Sequence, residues 1–268
     1  GYITNVDTIK QFCKITKIIN PKIVTIVGGV HVEVVPGDLE DKFIDFRVIR
    51  NPIIEFPKLL DHLEKGYDKP QGVLANGSKV NHIELPSFDF TFSHPRRDLV
   101  KHYKKKYYYI FHNKVALLKT TFGCPYKCNY CFCRVITEGK YSPRKIDDVL
   151  DELEKIEEKE IYIVDDDFLL LPERLRNFFN GLKERNIKKR FLIYGRSDFI
   201  VKYPDIINKF KEVGLRTIIV GIESFNEQEL KDYNKLNSVE NNRECIRILN
   251  KLGIDCYATT MIPPHWDE

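Results

Sequence analysis

Four of the chain's seven cysteines, Cys124, Cys128, Cys131 and Cys133, crowd into the run TTFGCPYKCNYCFC. An odd cysteine count with such crowding points to a metal site in a reducing compartment rather than a secreted disulfide framework. Thiolates hold iron-sulfur clusters, and the C-x3-C-x2-C spacing of the first three lets one loop reach different irons of a cubane while leaving one iron open. Two other readings stay open on spacing alone. A structural zinc ion would take Cys133 or a distant histidine as its fourth ligand, and an electron-transfer cluster would take Cys133 to complete four cysteines. Cys13, Cys245 and Cys256 stand in apolar surroundings and read as core packing.

The elements that must position this loop alternate between strand and helix, the pattern of a parallel α/β fold. A strand is expected at 115–120 (VALLKT). Ser142-Pro143 is expected to cap the next helix, whose buried stripe is Ile146, Val149, Leu150, Leu153 and Ile156. Strand IYIV at 161–164 follows, then a helix from Pro172 with Leu175, Phe178, Phe179 and Leu182 on one face. Strand FLIY at 191–194 precedes a helix carrying Ile206, Ile207, Phe210 and Val213 and stopped by Gly214. Strand TIIVGI at 217–222, a helix with Cys245, Ile246 and Leu249 closed by Gly253, and strand CYATTMI at 256–262 complete five strands. The cysteines follow the first strand directly, at the carboxyl end where such folds place their chemistry.

Ahead of this core, Ile9, Phe12 and Ile15 have helical spacing, and IVTIVGG reads as a buried parallel strand ending at Gly28-Gly29. A strand resumes near Asp45, and Phe56, Leu59, Leu60 and Leu63 mark a helix stopped at Gly66. Residues 1–66 thus form a short α/β unit, and 67–112 read as an extended connector with a hairpin at Asn76-Gly77. The connector's end, KHYKKKYYYIFH, interleaves bases with aromatics as single-strand binders do, but reads better as a half-exposed strand flanked by solvated lysines.

The stretch CPYKCNYC, with Tyr130 before its third cysteine, resembles the signature of the radical S-adenosylmethionine (SAM) superfamily, and the resemblance extends over residues 80–268. It implies a partial (βα) barrel of the radical SAM type over 113–268, stopping after Pro263-Pro264 before a sixth strand. It also implies a 4Fe-4S cluster on Cys124, Cys128 and Cys131, with SAM chelating the open iron and Cys133 not ligating. The reduced cluster would split SAM into methionine and a 5'-deoxyadenosyl radical that takes a hydrogen from a substrate over the barrel. No single catalytic side chain is indicated.

Cofactor contacts implied by the resemblance fall on Tyr130 and Phe132 beside the third cysteine, and on the acids Asp166 and Asp167, since the cationic amine of SAM wants carboxylates nearby. A solvated acidic loop at a helix N-terminus is the plain alternative. Arg196, with Ser197 and Asp198, stands after the third strand, where it could equally pair with its neighbouring aspartate. Glu223 and Ser224 of GIESF match the family's turn toward the ribose hydroxyls, and Lys235 falls where relatives pair the SAM carboxylate, or is a surface lysine.

The front unit resembles the tail of the cobalamin-binding Rossmann domain that precedes many such cores, with Gly28-Gly29-Val30-His31 at the nucleotide-tail position. The D-x-H-x-x-G loop that carries the axial histidine is absent, so His31 reads as a loop histidine and cobalamin is expected only in a longer chain. A sequence opening on Gly1 and stopping at Glu268 reads as a piece of such a chain.

A content of 43% hydrophobic and 31% charged residues predicts a well-packed globule. A net charge of +4 argues for neither nucleic acid nor membrane as a partner. No run of about 18 apolar residues occurs, and the expected location is cytoplasmic. Expected partners are a small-molecule or peptide substrate and an electron donor such as a flavodoxin or ferredoxin. A cobalamin-dependent methyltransferase, an electron carrier and a zinc-stabilised binding module remain the rival functions.

Overall fold

The structure is a computed structural model that describes residues 3–78 and 93–262. It divides into two compact units, Gly1–Ser87 with Phe132–Glu138, and Phe88–Cys131 with Gly139–Glu268. The expected stop after Pro263-Pro264 lies outside the described residues.

In the front unit, α1 (Val6–Ile19) precedes β1 (Ile26–Val27), α2 (Val30–Val34), β2 (Phe46–Val48), α3 (Pro52–Lys65) and β3 (Val73–Ala75). Strands β1 and β2 pair in parallel, and β3 joins β2 antiparallel, from within the stretch expected as a connector. The core is small: Val27, Val32, Leu39, Ile44, Ile49 and Leu74, with Val6, Ile9 and Cys13 of α1 packed on it.

Two expectations are corrected here. The strand expected through IVTIVGG shrinks to Ile26–Val27, because only those residues find partners on β2, and Ile23 and Val24 stay 44% exposed. His31 is no loop residue: it lies in α2, buried, with Nε2 2.9 Å from Asp38 Oδ2. Gly66 ends α3 as expected, at φ 73° in the left-handed region that suits glycine.

Also in α2, burial pushes the Glu33 carboxyl up to about 7 against the pull of the Arg50 guanidinium. A carboxyl whose folded pKa lies above its usual value of 4.5 stabilises the fold fully only below 4.5, and that contribution is lost as pH rises toward 7. Glu33→Gln removes the penalty. Thermal unfolding should therefore show the variant gaining about 1 kcal/mol at pH 8, the shift being discounted for partial exposure, and gaining nothing at pH 4.5. Equal Tm changes at both pH values would sink this assignment.

The core unit's described part begins with a 3-10 helix (Arg97–Lys106), where the lysine-rich stretch was expected beside a strand, followed by a hairpin, β4 (Tyr108–Tyr109) on β5 (His112–Asn113), then β6 (Val115–Leu118). Next comes a short ladder, β7 (Thr121–Phe122) paired antiparallel with β8 (Ser142–Pro143), and between these lies α4 (Cys133–Thr137) of the front unit. Then follow α5 (Ile146–Lys155), β9 (Glu160–Ile163), α6 (Pro172–Glu184), β10 (Arg190–Gly195), α7 (Ser197–Lys202), α8 (Pro204–Glu212), β11 (Leu215–Glu223), α9 (Glu227–Asp232), α10 (Val239–Leu252) and β12 (Asp255–Thr260). Five strands form one parallel sheet in the order β12-β11-β10-β9-β6, with β6 and β12 at its edges, the open arc expected of a partial barrel.

Period-two alternation assigns the two faces. Ala116, Leu118, Ile161, Ile163, Phe191, Ile193, Ile218 and Val220 pack under the helices with Leu150, Leu153, Phe178, Phe210 and Leu249. Val115, Tyr162, Leu192 and Ile219 point the other way, where the hairpin residues Tyr109 and Ile110 cover them. Apolar residues on both faces explain why these strands read as continuous hydrophobic runs.

Ser142-Pro143 is corrected from a helix cap to β8, and α5 starts three residues later, at Ile146, with no side-chain cap. The pairing Phe122↔Ser142 brings together the two ends of the excursion that carries the cysteines.

Candidate functional site

Every residue singled out in the core unit lies at or beyond the carboxyl end of a parallel strand, apart from Lys235, which follows α9. Strand β6 delivers the cysteine loop, β9 the acids, β10 Arg196, and β11 Glu223 and Ser224. The acids divide their work. Asp165, 1% exposed, accepts from the Thr120 and Thr121 amides at 2.6 and 3.0 Å and from the Thr120 hydroxyl at 2.5 Å, tying the β9 exit to the β6 exit. Asp166 accepts from the Gly123 amide at 3.0 Å and faces Lys119 at 3.4 Å, which steadies the start of the cysteine loop.

Asp167 is different. It is 3% exposed, its Oδ1 accepts from the Leu169 amide at 3.2 Å, and its Oδ2 has no hydrogen-bond partner. Burial lifts this carboxyl to about 7 in spite of the Arg196 guanidinium. A buried carboxylate oxygen without a donor is costly and marks a place where a cationic donor would be welcome.

Arg196 pairs with its neighbour, as its alternative reading allowed. It donates to Asp198 at 2.9 and 3.2 Å and to the carbonyls of Lys235 and Leu236 at 2.8 and 3.2 Å. Its guanidinium plane also lies 3.9 Å from the ring centre of Tyr126, inside the cysteine loop. Lys235 is no surface lysine: it is 6% exposed, with Nζ 2.8 Å from Glu223 Oε1 and 3.3 Å from the Tyr130 hydroxyl. The Ser224 hydroxyl is spent locally, donating to Glu229 at 2.5 Å and accepting from the Asn226 amide at 2.9 Å.

Sequence reasoning missed a clamp. The Asn129 amide donates to Tyr233 O at 2.9 Å, Asn129 Nδ2 to Asp232 O at 2.8 Å, and Asn234 Nδ2 to Lys127 O at 2.8 Å. With the Tyr126–Arg196 stack and the Lys235–Tyr130 bond, the segment 232–236 holds the cysteine loop from one side. Asn234 and Leu236 adopt φ of 50° and 52°, and Glu223 63°, all in the left-handed region. Asparagine's tolerance of the left-handed region was the one signal in the sequence.

Cys128 is buried, Cys124 and Cys131 are partly so, and the Cys131 amide donates to Cys128 O at 3.2 Å. Burial raises the Cys124 thiol to about 11, and nearby Asp167, Cys131 and Asp166 add to it. Among the described residues, no three His, Cys, Asp or Glu side chains converge as a single metal ion requires. One zinc ion about 2.3 Å from each sulfur demands that convergence, whereas a cubane takes each thiolate on a different iron. Cys133 and Phe132 belong to α4 and its cap in the front unit, Cys133 buried and Phe132 46% exposed. No helix among the described residues is long and apolar enough to cross a membrane.

A parallel sheet with a three-cysteine loop and buried acids at its strand ends is the setting of radical SAM chemistry, and comparison with known families agrees. The model of the radical SAM superfamily matches residues 118–268, and the chain belongs to that superfamily, whose members use a 4Fe-4S cluster and SAM.

Among curated proteins, the chain is 26% identical to the hopanoid C-3 methylase of Methylococcus capsulatus, over all of this chain and 53% of that protein. It is 25% identical to the anaerobic magnesium-protoporphyrin IX monomethyl ester cyclase of Rubrivivax gelatinosus, over 90% of this chain and 46% of that one. The chain thus spans about half the length of the curated relatives it matches.

Among solved structures, the cobalamin-dependent SAM radical enzyme OxsB with aqua-cobalamin aligns at a TM-score of 0.77 and 20% identity, over 94% of this chain and 38% of OxsB. The radical SAM methyltransferase TsrM from Kitasatospora setae aligns at 0.72 and 17%, over 94% of this chain and 52% of TsrM. At these identities the structural likeness speaks to the fold.

Proposed function

We propose that this chain is the core of an enzyme that cleaves SAM reductively on a 4Fe-4S cluster held by Cys124, Cys128 and Cys131, and directs the resulting 5'-deoxyadenosyl radical to a hydrogen of its substrate. The observation that carries the reading is the unpartnered Asp167 Oδ2, buried at the strand ends beside the cysteine loop. The ammonium of SAM is the kind of donor that oxygen lacks. Bound there, cluster and SAM supply one-electron chemistry, and the protein's residues bind, orient and exclude water.

In this reading Asp167 holds the amine, Asp166 steadies the loop entrance, and Lys235 with Glu223 presents a charged pair to the carboxylate and ribose ends of SAM. Tyr130 and Phe132 flank the third ligand. Arg196 acts through Tyr126 and the 235–236 carbonyls rather than through SAM. Reduction requires an outside one-electron donor of the flavodoxin or ferredoxin kind.

A second reading, a cobalamin-dependent methyltransferase, is favoured by one observation: the matches to hopanoid C-3 methylase, OxsB and TsrM run through the front unit as well as the core. Hydroxocobalamin titration of the full-length protein, followed by its visible absorption, separates the two. Tight binding supports methyl transfer, and its absence supports hydrogen abstraction alone.

The primary test is anaerobic reconstitution followed by electron paramagnetic resonance of the reduced protein with and without SAM. The 4Fe-4S signal is expected to change on adding SAM. Asp167→Asn should keep the cluster and weaken SAM binding roughly tenfold or more, the cost of one charge-assisted hydrogen bond. A wild-type cluster indifferent to SAM refutes the proposal. An Asp167→Asn variant that binds SAM normally removes Asp167 from it.

A further inference from the structure

Glu223 ends β11 in an unusual turn. The pairing of β11 with β12 shifts register between Gly221 and Glu223, and the Ser224 amide donates to Ile222 O at 2.8 Å across the glutamate. That bond closes a three-residue γ-turn with Glu223 at φ 63°, the rarer of the two forms. A residue other than glycine keeps such a backbone only where its surroundings hold it.

What holds it is Asn242, on α10 and 0% exposed. Its Nδ2 donates to Ile222 O at 3.0 Å and to Ser224 O at 2.9 Å, the carbonyls on either side of Glu223. Its Oδ1 accepts from the Ser197 hydroxyl at 2.6 Å and from Asn237 Nδ2 at 2.8 Å. Asn237 is fixed in turn: its Nδ2 also donates to the Ser197 hydroxyl at 2.6 Å, and its Oδ1 accepts from Asn241 Nδ2 at 3.0 Å. A single orientation of the Asn242 carboxamide meets two carbonyls with its nitrogen and two donors with its oxygen.

Ser197 follows Arg196 directly, and Asn237 follows the segment 232–236 that holds the cysteine loop. One buried side chain thus joins the β10 exit, the β11 exit and the segment that carries Lys235, all within the core unit. At the β12 edge the Met261 amide donates to Glu223 O at 2.8 Å and completes the frame around the glutamate.

We propose that Asn242 is a positioning residue for SAM: it fixes the backbone on both sides of Glu223 and so aims the Glu223–Lys235 pair at the cofactor. The inference rests on the reading that this pair faces SAM, and adds the group that stands behind it. A carboxamide offers two donors and an acceptor in one plane, whereas a carboxylate of the same size would set oxygen against both carbonyls.

The test measures SAM affinity of the reconstituted full-length protein by equilibrium dialysis, alongside the resonance spectrum of the reduced cluster without SAM. Asn242→Asp should weaken SAM binding roughly tenfold, the worth of one charge-assisted hydrogen bond lost through misplacement, and leave the SAM-free spectrum as in wild type. Ser197→Ala removes one hydroxyl from the same network, keeps the test open where the aspartate variant does not fold, and should weaken binding roughly threefold. Leu249→Ala opens the helix-side core about two turns further along α10; it should lose stability and bind SAM as wild type does. In a Glu223→Leu, Lys235→Met background, Asn242→Asp should cost no further affinity, since no pair is left to aim.

Wild-type SAM affinity in Asn242→Asp, or in Ser197→Ala where the aspartate variant does not fold, overturns the proposal. So does equal weakening in Leu249→Ala, which would trace the effect to stability. Full additivity with the Glu223→Leu, Lys235→Met pair overturns it too, as does a changed SAM-free spectrum, which would place the effect on the cysteine loop. A wild-type protein that takes up its cluster and binds no SAM overturns the underlying reading and this proposal with it.

Discussion

Cys128→Ala is expected to abolish the cluster: reconstituted protein should carry iron near background and show no 4Fe-4S resonance. Cys133→Ala should retain both. The contrast follows from where the thiols stand. Cys128 is the middle member of the C-x3-C-x2-C run, and the loop around it is held by the Asn129 and Asn234 bonds and by the Tyr126–Arg196 stack. Cys133 is in the first turn of α4, where its carbonyl already accepts from the Thr137 hydroxyl at 2.7 Å as part of the helix's own bonding. Losing one of three thiolates leaves a cubane with two protein ligands, too few to keep it, and metal affinity of this kind is lost outright rather than trimmed. If Cys133→Ala lost the cluster too, the chain would hold a four-cysteine electron-transfer centre, and the SAM chemistry would go with it. Zinc in place of iron in anaerobically purified protein would favour the zinc-stabilised binding module instead.

What the sequence made legible, and what it did not, divides along physical lines. The five parallel strands were readable because their residues alternate between two buried faces, so Ile161, Tyr162 and Ile163 or Ile218, Ile219 and Val220 appear as unbroken apolar runs. The glycine stops at Gly66 and Gly253 were readable because a left-handed C-cap all but demands glycine.

Short ladders were not readable: β7 on β8 rests on two residue pairs, and nothing in Ser142-Pro143 distinguishes a strand from a cap. The exposed ends of IVTIVGG misled for the opposite reason, since apolar β-branched residues promised a strand that β2 is too short to pair. The cysteines announced themselves by spacing. The contacts of Tyr126, Asn129 and Asn234 had no such signal, because each depends on a partner 70 to 107 residues away in the chain. Type alone could not settle the charged candidates either. Arg196, Glu223 and Lys235 were each named from sequence as SAM contacts, but only the fold shows the last two bonded to each other.

That pair carries the second large effect. Lys235→Met should destabilise the cluster-free protein by about 3–5 kcal/mol, because it leaves the Glu223 carboxylate buried and without its cation. The site leaves little room for rearrangement. Glu223 is 9% exposed and held at φ 63°, and a Cβ placed on Gly221 would come within 2.6 Å of Glu223 Oε1 and 2.7 Å of Lys235 Nζ. Water could replace the lysine only by opening the packing between β11 and the 232–236 segment.

The double variant Lys235→Met with Glu223→Leu should recover most of the loss, since removing both charges is far cheaper than stranding one. Urea unfolding of the four proteins in the cycle measures this directly. A loss below about 0.5 kcal/mol for Lys235→Met would return Lys235 to an ordinary surface cation. The same variants separate stability from function: the double variant should fold and hold its cluster, yet bind SAM poorly, because a Met-Leu pair offers nothing to a carboxylate or a ribose hydroxyl. Recovered stability together with lost SAM binding is the outcome expected of a charge pair kept for its ligand, since a pair kept for folding alone would be better served by apolar side chains.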